Sequence, residues 1–157
     1  MNDLDFMKIA LAEAIKAADE GEVPVGAVIV QDGLVIACEH NRREQLKDST
    51  AHAEILAIKK ACEKLGTWRL SGCTAYITLE PCIMCGGALL NSRIERVVYG
   101  AGDATMGACG SLFNVNDFPS MYHHFELIGG VLGEECALLM KEFFAKRRKE
   151  EKYSKNK

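Results

Sequence analysis

The order of elements read from the chain, α-β-β-α-β-α-β-(loop)-β-α, predicts an α/β protein built as a three-layer α/β/α sandwich with a central mixed five-stranded sheet. Three observations carry this. Apolar residues recur at helical spacing in well-separated stretches. Two β runs flank Asp32-Gly33, a strong tight-turn pair. No linker, repeat or low-complexity segment divides the 157 residues, so a single domain over 1–157 is expected.

Each element follows from its residues. Residues 3–20 place Leu4, Met7, Ile9, Leu11, Ala14, Ile15 and Ala18 at helical spacing, which predicts an amphipathic helix ended by Gly21. Pro24 opens the run VGAVIVQDG, and LVIACEH follows it to complete a hairpin. Residues 41–50 are polar and irregular and read as a loop. Helical spacing returns over 53–65, with Ile55, Ile58, Ala61, Cys62 and Leu65 expected to face inward. A strand at 74–79, a short helix at 82–90 and a strand at 94–99 follow. Gly100, Gly102, Gly107 and Gly110 make 100–111 a loop that turns sharply or approaches something closely. A fifth strand is expected at 125–132. A long helix runs from 134 to about 150, with Cys136, Leu139, Met140, Phe143 and Phe144 on its apolar side.

Composition narrows the class. Hydrophobic residues at 48% and charged residues at 26% exclude a mainly disordered chain. The N-terminal stretch carries acids from Asp3 onward and lacks the basic flank and apolar run of a signal peptide. No stretch approaches the about 18 apolar residues of a membrane span. Seven Cys is an odd count with no disulfide framework, which suits a cytoplasmic protein with reduced thiols. Cys38, Cys62 and Cys136 sit in apolar runs and read as small hydrophobes; Cys73 and Cys109 lean the same way.

A formal charge of -3 argues at first against a nucleic-acid partner. Its distribution removes the objection. Residues 141–157 hold eight Lys/Arg and three acids, a balance of +5, while the first 140 hold 11 basic and 19 acidic residues, a balance of -8. The basic helix and tail from about 134 to 157 reads either as a solvated helix end or as a source of phosphate contacts.

Two fragments carry the chemistry: His52-Ala53-Glu54 and Pro81-Cys82-Ile83-Met84-Cys85. Cys82 and Cys85 are three apart, so on a first helical turn they share a face. One imidazole and two thiolates suit zinc with a fourth position left for water, the catalytic pattern. Glu54 can reach that water without being a ligand. Bare H-x-E is weak and P-C-x-x-C far rarer; together, in this order, they resemble the signature of the zinc nucleobase deaminases. Against this stand a capping role for His52 and a redox role for the Cys pair. His123 and His124 read as surface residues rather than ligands.

With VPVGAVIV, HAEI, LEPCIMCGGAL and the glycine-rich stretch ending in GSL, nearly the whole chain resembles the bacterial tRNA-specific adenosine deaminases of the cytidine deaminase superfamily. That resemblance implies a cytidine deaminase-like fold and a cytoplasmic homodimer. It implies conversion of the wobble adenosine of an arginine tRNA anticodon to inosine, with one Zn2+ per chain and a tRNA anticodon stem-loop as partner. It places His52, Cys82 and Cys85 as zinc ligands and Glu54 as proton shuttle. It places Val25 and Asn41 at the base, Asp103 near the sugar, and Phe144, Arg147 and Arg148 beside the anticodon loop. The family commonly carries a Lys after the aspartate, where this chain reads Asp103-Ala104-Thr105-Met106, which implies one phosphate contact fewer. Arg43 stands where many members have a smaller residue or Pro. Apolar residues Met84, Leu89, Leu90, Leu112 and Phe113 serve either the core or a dimer interface. A deaminase of a free base or nucleoside, such as guanine or cytosine, is the alternative reading, and a non-catalytic zinc fold that binds RNA or protein ranks after it.

Overall fold

The computed structural model describes residues 1–156. Helix α1 (Asp3–Asp19) begins at Asn2, whose side chain accepts the Asp5 N–H while the Asp5 carboxylate accepts the Asn2 N–H. This reciprocal cap satisfies two N–H groups that the helix start leaves unpaired. Strands β1 (Gly26–Gln31) and β2 (Leu34–His40) form the expected antiparallel hairpin. Asp32 and Gly33 both take positive φ, 51° and 77°, the twist that matches a two-residue hairpin turn.

A short helix, α2 (Arg43–Leu46), interrupts the expected 41–50 loop. Helices α3 (Ala53–Leu65) and α4 (Ile83–Asn91) bracket β3 (Cys73–Leu79). Strands β4 (Arg96–Ala101) and β5 (Glu126–Ile128) and helix α5 (Gly133–Lys155) complete the order. The sheet runs β2-β1-β3-β4-β5. β1 pairs antiparallel with β2 and β3, whereas β3-β4 and β4-β5 are parallel, so the sheet is mixed as expected.

Alternation along β1 sets the layers. Ala27 and Ile29 join Ala57, Ala61, Ile77, Leu89 and Val97 in the cluster under α3 and α4. Val28 and Val30 join Phe6, Met7, Ala10, Tyr76 and Val98 in the cluster under α1, which α5 flanks. Two elements differ from the reading of the residues. The buried face of α3 is Ala53, Ala57 and Ala61, because small side chains let the helix lie close on the sheet. Ala61, Ile58, Cys62 and Leu65 face the core as expected, the last three partly buried against it, and Ile55 alone stays half-exposed outside it. The fifth strand pairs only over Glu126–Ile128, since Gly129 and Gly130 follow and Gly130 takes φ 91°.

Candidate functional site

The site is built where two helices begin. His52 occupies the N-cap position of α3 and Cys82 that of α4, directly after the C-terminal end of β3, and α3 packs on α4. Cys85 lies in the first turn of α4 and is fully buried. The Nδ1 of His52 is 3.7 Å from Cys82 Sγ and 3.5 Å from Cys85 Sγ. All three donor atoms lie within 4.8 Å of one another, and no other group joins them among the described residues.

The cluster holds its protons unevenly. The Cys85 thiol donates to Cys82 and, with help from His52 and against burial, pulls the Cys82 pKa down to about 4. The same bond, with burial, raises Cys85. The bond to Cys82 raises His52 against the effect of burial. Burial raises Glu54, which exposes only 5% of its surface. One imidazole and two sulfurs form a donor set that fits a borderline divalent cation, zinc above all.

His52, Glu54 and Cys82 line a cavity of about 660 Å³. Asn41 and Arg43 form part of one wall; the backbone and side chains of 102–106 form another; Met140, Lys141, Phe144 and Arg148 of α5 form a third. Val25 also lines it. Asn41 is buried; its Nδ2 donates to the Val23 carbonyl at 3.2 Å and its Oδ1 accepts the Arg43 N–H at 3.2 Å. Asp103 turns its carboxylate into its own loop, accepting from Thr105 N–H and hydroxyl and from Met106 N–H.

Arg147 alone among the residues expected at the substrate does not line the cavity: its Nη2 donates to the Gly21 carbonyl at 3.1 Å and its guanidinium covers Phe143. Phe144 lines the cavity and meets Phe143 edge-on at 5.4 Å, so it serves packing and pocket together. His123 and His124 bond the backbone carbonyls of Ile94 and Phe118, outside the cluster. Cys73, Cys109 and Cys136 are buried, whereas Cys38 and Cys62 are half-buried. Leu89 and Leu90 belong to the core; Leu112 and Phe113 are exposed, as is Ile83 on α4.

Sequence reasoning missed Glu80, which lines the same cavity and exposes 2% of its surface. Burial pushes its carboxyl up, but donation from the Ser111 hydroxyl and from the N–H groups of Ser111, Asp103 and Cys109 outweighs burial and leaves its pKa below the usual carboxylate value. Its position beside Pro81-Cys82 was the one local signal available.

Residues 1–148 match the family of MafB19-like deaminases. A tRNA-specific adenosine deaminase of Bacillus subtilis is 50% identical over 147 residues, covering 94% of this chain and 91% of the relative. A solved structure from work on A-to-I editing by tRNA:A34 deaminases at the wobble position of transfer RNA is 45% identical. It covers 86% of this chain and 98% of its own, with a TM-score of 0.81. A guanine deaminase of Bacillus subtilis is 34% identical over 94% of this chain and 95% of its own, with a TM-score of 0.64.

Proposed function

Because the chain belongs to the tRNA-specific adenosine deaminases of the cytidine deaminase superfamily, we propose that it converts the wobble adenosine of a tRNA anticodon loop to inosine and releases ammonia. The observation that carries the reading is the meeting of His52, Cys82, Cys85 and Glu54 at a cavity whose lining also holds Arg43, Lys141 and Arg148. The finer substrate proposed is an arginine tRNA.

His52, Cys82 and Cys85 would hold one zinc ion. When bound, zinc supplies a Lewis acid that makes water nucleophilic near neutral pH. Glu54 takes the proton from the attacking water and delivers it to N1 of adenine as the C6–O bond forms. Glu54 then takes the remaining proton from the new C6 hydroxyl and passes it to the amine, so that the C6 carbonyl forms as the C6–N bond breaks and ammonia leaves. An Asn side chain has two N–H donors and an oxygen with two lone pairs. Asn41 spends one of each on Val23 and Arg43, so one of each remains to orient the base. Val25 adds apolar contact. A loop nucleotide reaches this depth more cheaply than a paired one, because no pairing is broken.

Arg148 and Lys141 on α5, with Arg43, suit the phosphates flanking such a base. Exposed Ile83, Leu112 and Phe113 support a homodimer, which sedimentation tests. No helix among the described residues is long and apolar enough to cross a membrane, and a cytoplasmic location is proposed with the tRNA substrate.

The deciding experiment is inosine formation on a panel of tRNA anticodon stem-loops, one with adenosine at the wobble position and one with guanosine in its place. Release of ammonia only from the adenosine stem-loop supports the proposal. The likeness to a guanine deaminase favours a second reading, deamination of a free base, and faster turnover of free guanine or cytosine than of any stem-loop would establish that one instead.

A further inference from the structure

Two carboxylates outside this chemistry are buried more deeply than Glu54. Glu22 exposes 1% of its surface and Glu80 2%. Neither joins an ion pair among the described residues. Both are satisfied by N–H and O–H donors of segments far along the chain. Glu22, between α1 and β1, accepts the Glu44 N–H at 3.0 Å and the Gln45 N–H at 2.8 Å. Those groups belong to α2, the segment that follows Asn41 and carries Arg43 into the cavity wall. Glu80 accepts the N–H groups of Asp103 at 3.1 Å and of Cys109 and Ser111 at 3.0 Å, and the Ser111 hydroxyl. Those groups belong to the loop whose residues 102–106 form another wall.

A buried carboxylate is costly unless donors surround it, and charge-assisted bonds are the stronger kind. The arrangement is therefore selective: each anion is satisfied only when its own wall is in place. Gly107 marks how tightly the second wall is drawn, since a Cβ there would overlap the Glu80 carboxylate and the Asp103 carbonyl. The two anchors stand on other segments than the walls they hold, Glu80 just after β3 and Glu22 in the turn between α1 and β1.

We propose that Glu22 and Glu80 are positioning residues, each fastening one wall of the catalytic cavity and thereby setting the opening that receives the target nucleotide. The inference rests on the functional reading above. Neither residue exchanges a proton with substrate. Their effect falls on contacts made alike before and during reaction, so it belongs in KM.

The test uses the full-length, zinc-loaded protein and an anticodon stem-loop with wobble adenosine, with the E22Q, E80Q and S111A variants. Gln turns an amide N–H2 toward donors that need an acceptor, among the two N–H groups at Glu22 and the three N–H groups and one hydroxyl at Glu80. Expected for E80Q is a KM raised roughly tenfold or more with kcat within about threefold, the signature of lost uniform binding. Zinc stays at one per chain, and amide exchange accelerates over 102–111 only. E22Q gives the same split, with faster exchange over 41–47. Ser111→Ala removes one of the Glu80 bonds and gives a smaller effect in the same direction, which keeps the test alive if E80Q fails to fold. A fall in kcat at unchanged KM, loss of zinc, faster exchange throughout the chain, or wild-type kinetics in S111A and E22Q together would each overturn the proposal. A wild-type chain that forms no inosine overturns the functional reading instead, while the exchange pattern still decides the fastening.

Discussion

Replacing Glu54 with glutamine removes one proton-carrying atom and changes little else. The side chain is buried beside Cys85 and His52, and glutamine matches its shape. The size of the loss follows from what else the cavity offers. General acid–base catalysis by one side chain contributes about 10²- to 10⁴-fold. Two other carboxylates line the cavity, and both are engaged in holding the 102–111 loop, Glu80 through both oxygens and Asp103 through Oδ1. Glu80 is engaged by four donors and Asp103 by three. Glu54 also acts twice, at N1 and at the departing amine. The loss therefore belongs at the upper end, roughly 10⁴-fold or more in kcat, which is about 5.5 kcal/mol of barrier. Single-turnover inosine formation on a wobble-adenosine stem-loop measures it, with zinc content and the unfolding midpoint as controls. Residual activity within about 30-fold of wild type, in a folded and zinc-loaded variant, would refute the assignment of Glu54 as the single proton carrier.

Other outcomes are equally specific. Cys82→Ala should bind less than one zinc per chain by elemental analysis and lose activity; full occupancy in that variant would remove Cys82 from the ligand set. Chelation of the wild-type protein should abolish deamination, and added zinc should restore it. Asp3 is held below the usual carboxylate pKa chiefly by its bond to Arg96 and then by Tyr76, against burial. A lowered folded-state pKa stabilises above the unfolded value and ceases to do so as pH falls through the folded one. Asp3→Asn should thus cost about 1 kcal/mol at neutral pH, and its difference from wild type should shrink below about pH 4, read by thermal unfolding. Deleting 146–157 should weaken stem-loop binding and flatten its salt dependence, and an unchanged salt slope would assign the tail to solubility alone.

How far the residues reveal the molecule depends on how local each cause is. α1 is legible because Asn2 and Asp5 cap it and Gly21 ends it nearby. The hairpin is legible because Asp32-Gly33 carries its own geometry. The ligand cluster is legible because helix starts bring H-x-E and P-C-x-x-C into recognisable spacing. α2 is not, since its first N–H groups are satisfied by Glu22, more than 20 positions upstream. Glu80 stayed hidden for the same reason: its partners lie up to 31 positions downstream, and no periodicity encodes them. On α3 the spacing is right but the weighting is wrong, because the larger Ile55 draws the eye while alanines make the close contact. Arg147 shares the basic run of Arg148, yet one residue of helical rotation turns it toward Gly21.

The meeting of His52 with Cys82 and Cys85 joins points 30 and 33 positions apart in the chain. A cation held jointly by them acts on the unfolded chain as a cross-link does. By loop-closure entropy, a link of that span is worth about 3–4 kcal/mol at 25 °C, comparable to a disulfide. The span encloses the whole of α3 and β3, a strand whose antiparallel partner β1 lies on the other side of the link, with Ala27 set against Ile77. Capturing the cation early would shorten the search for that pairing, so refolding rate, and not only turnover, should depend on zinc.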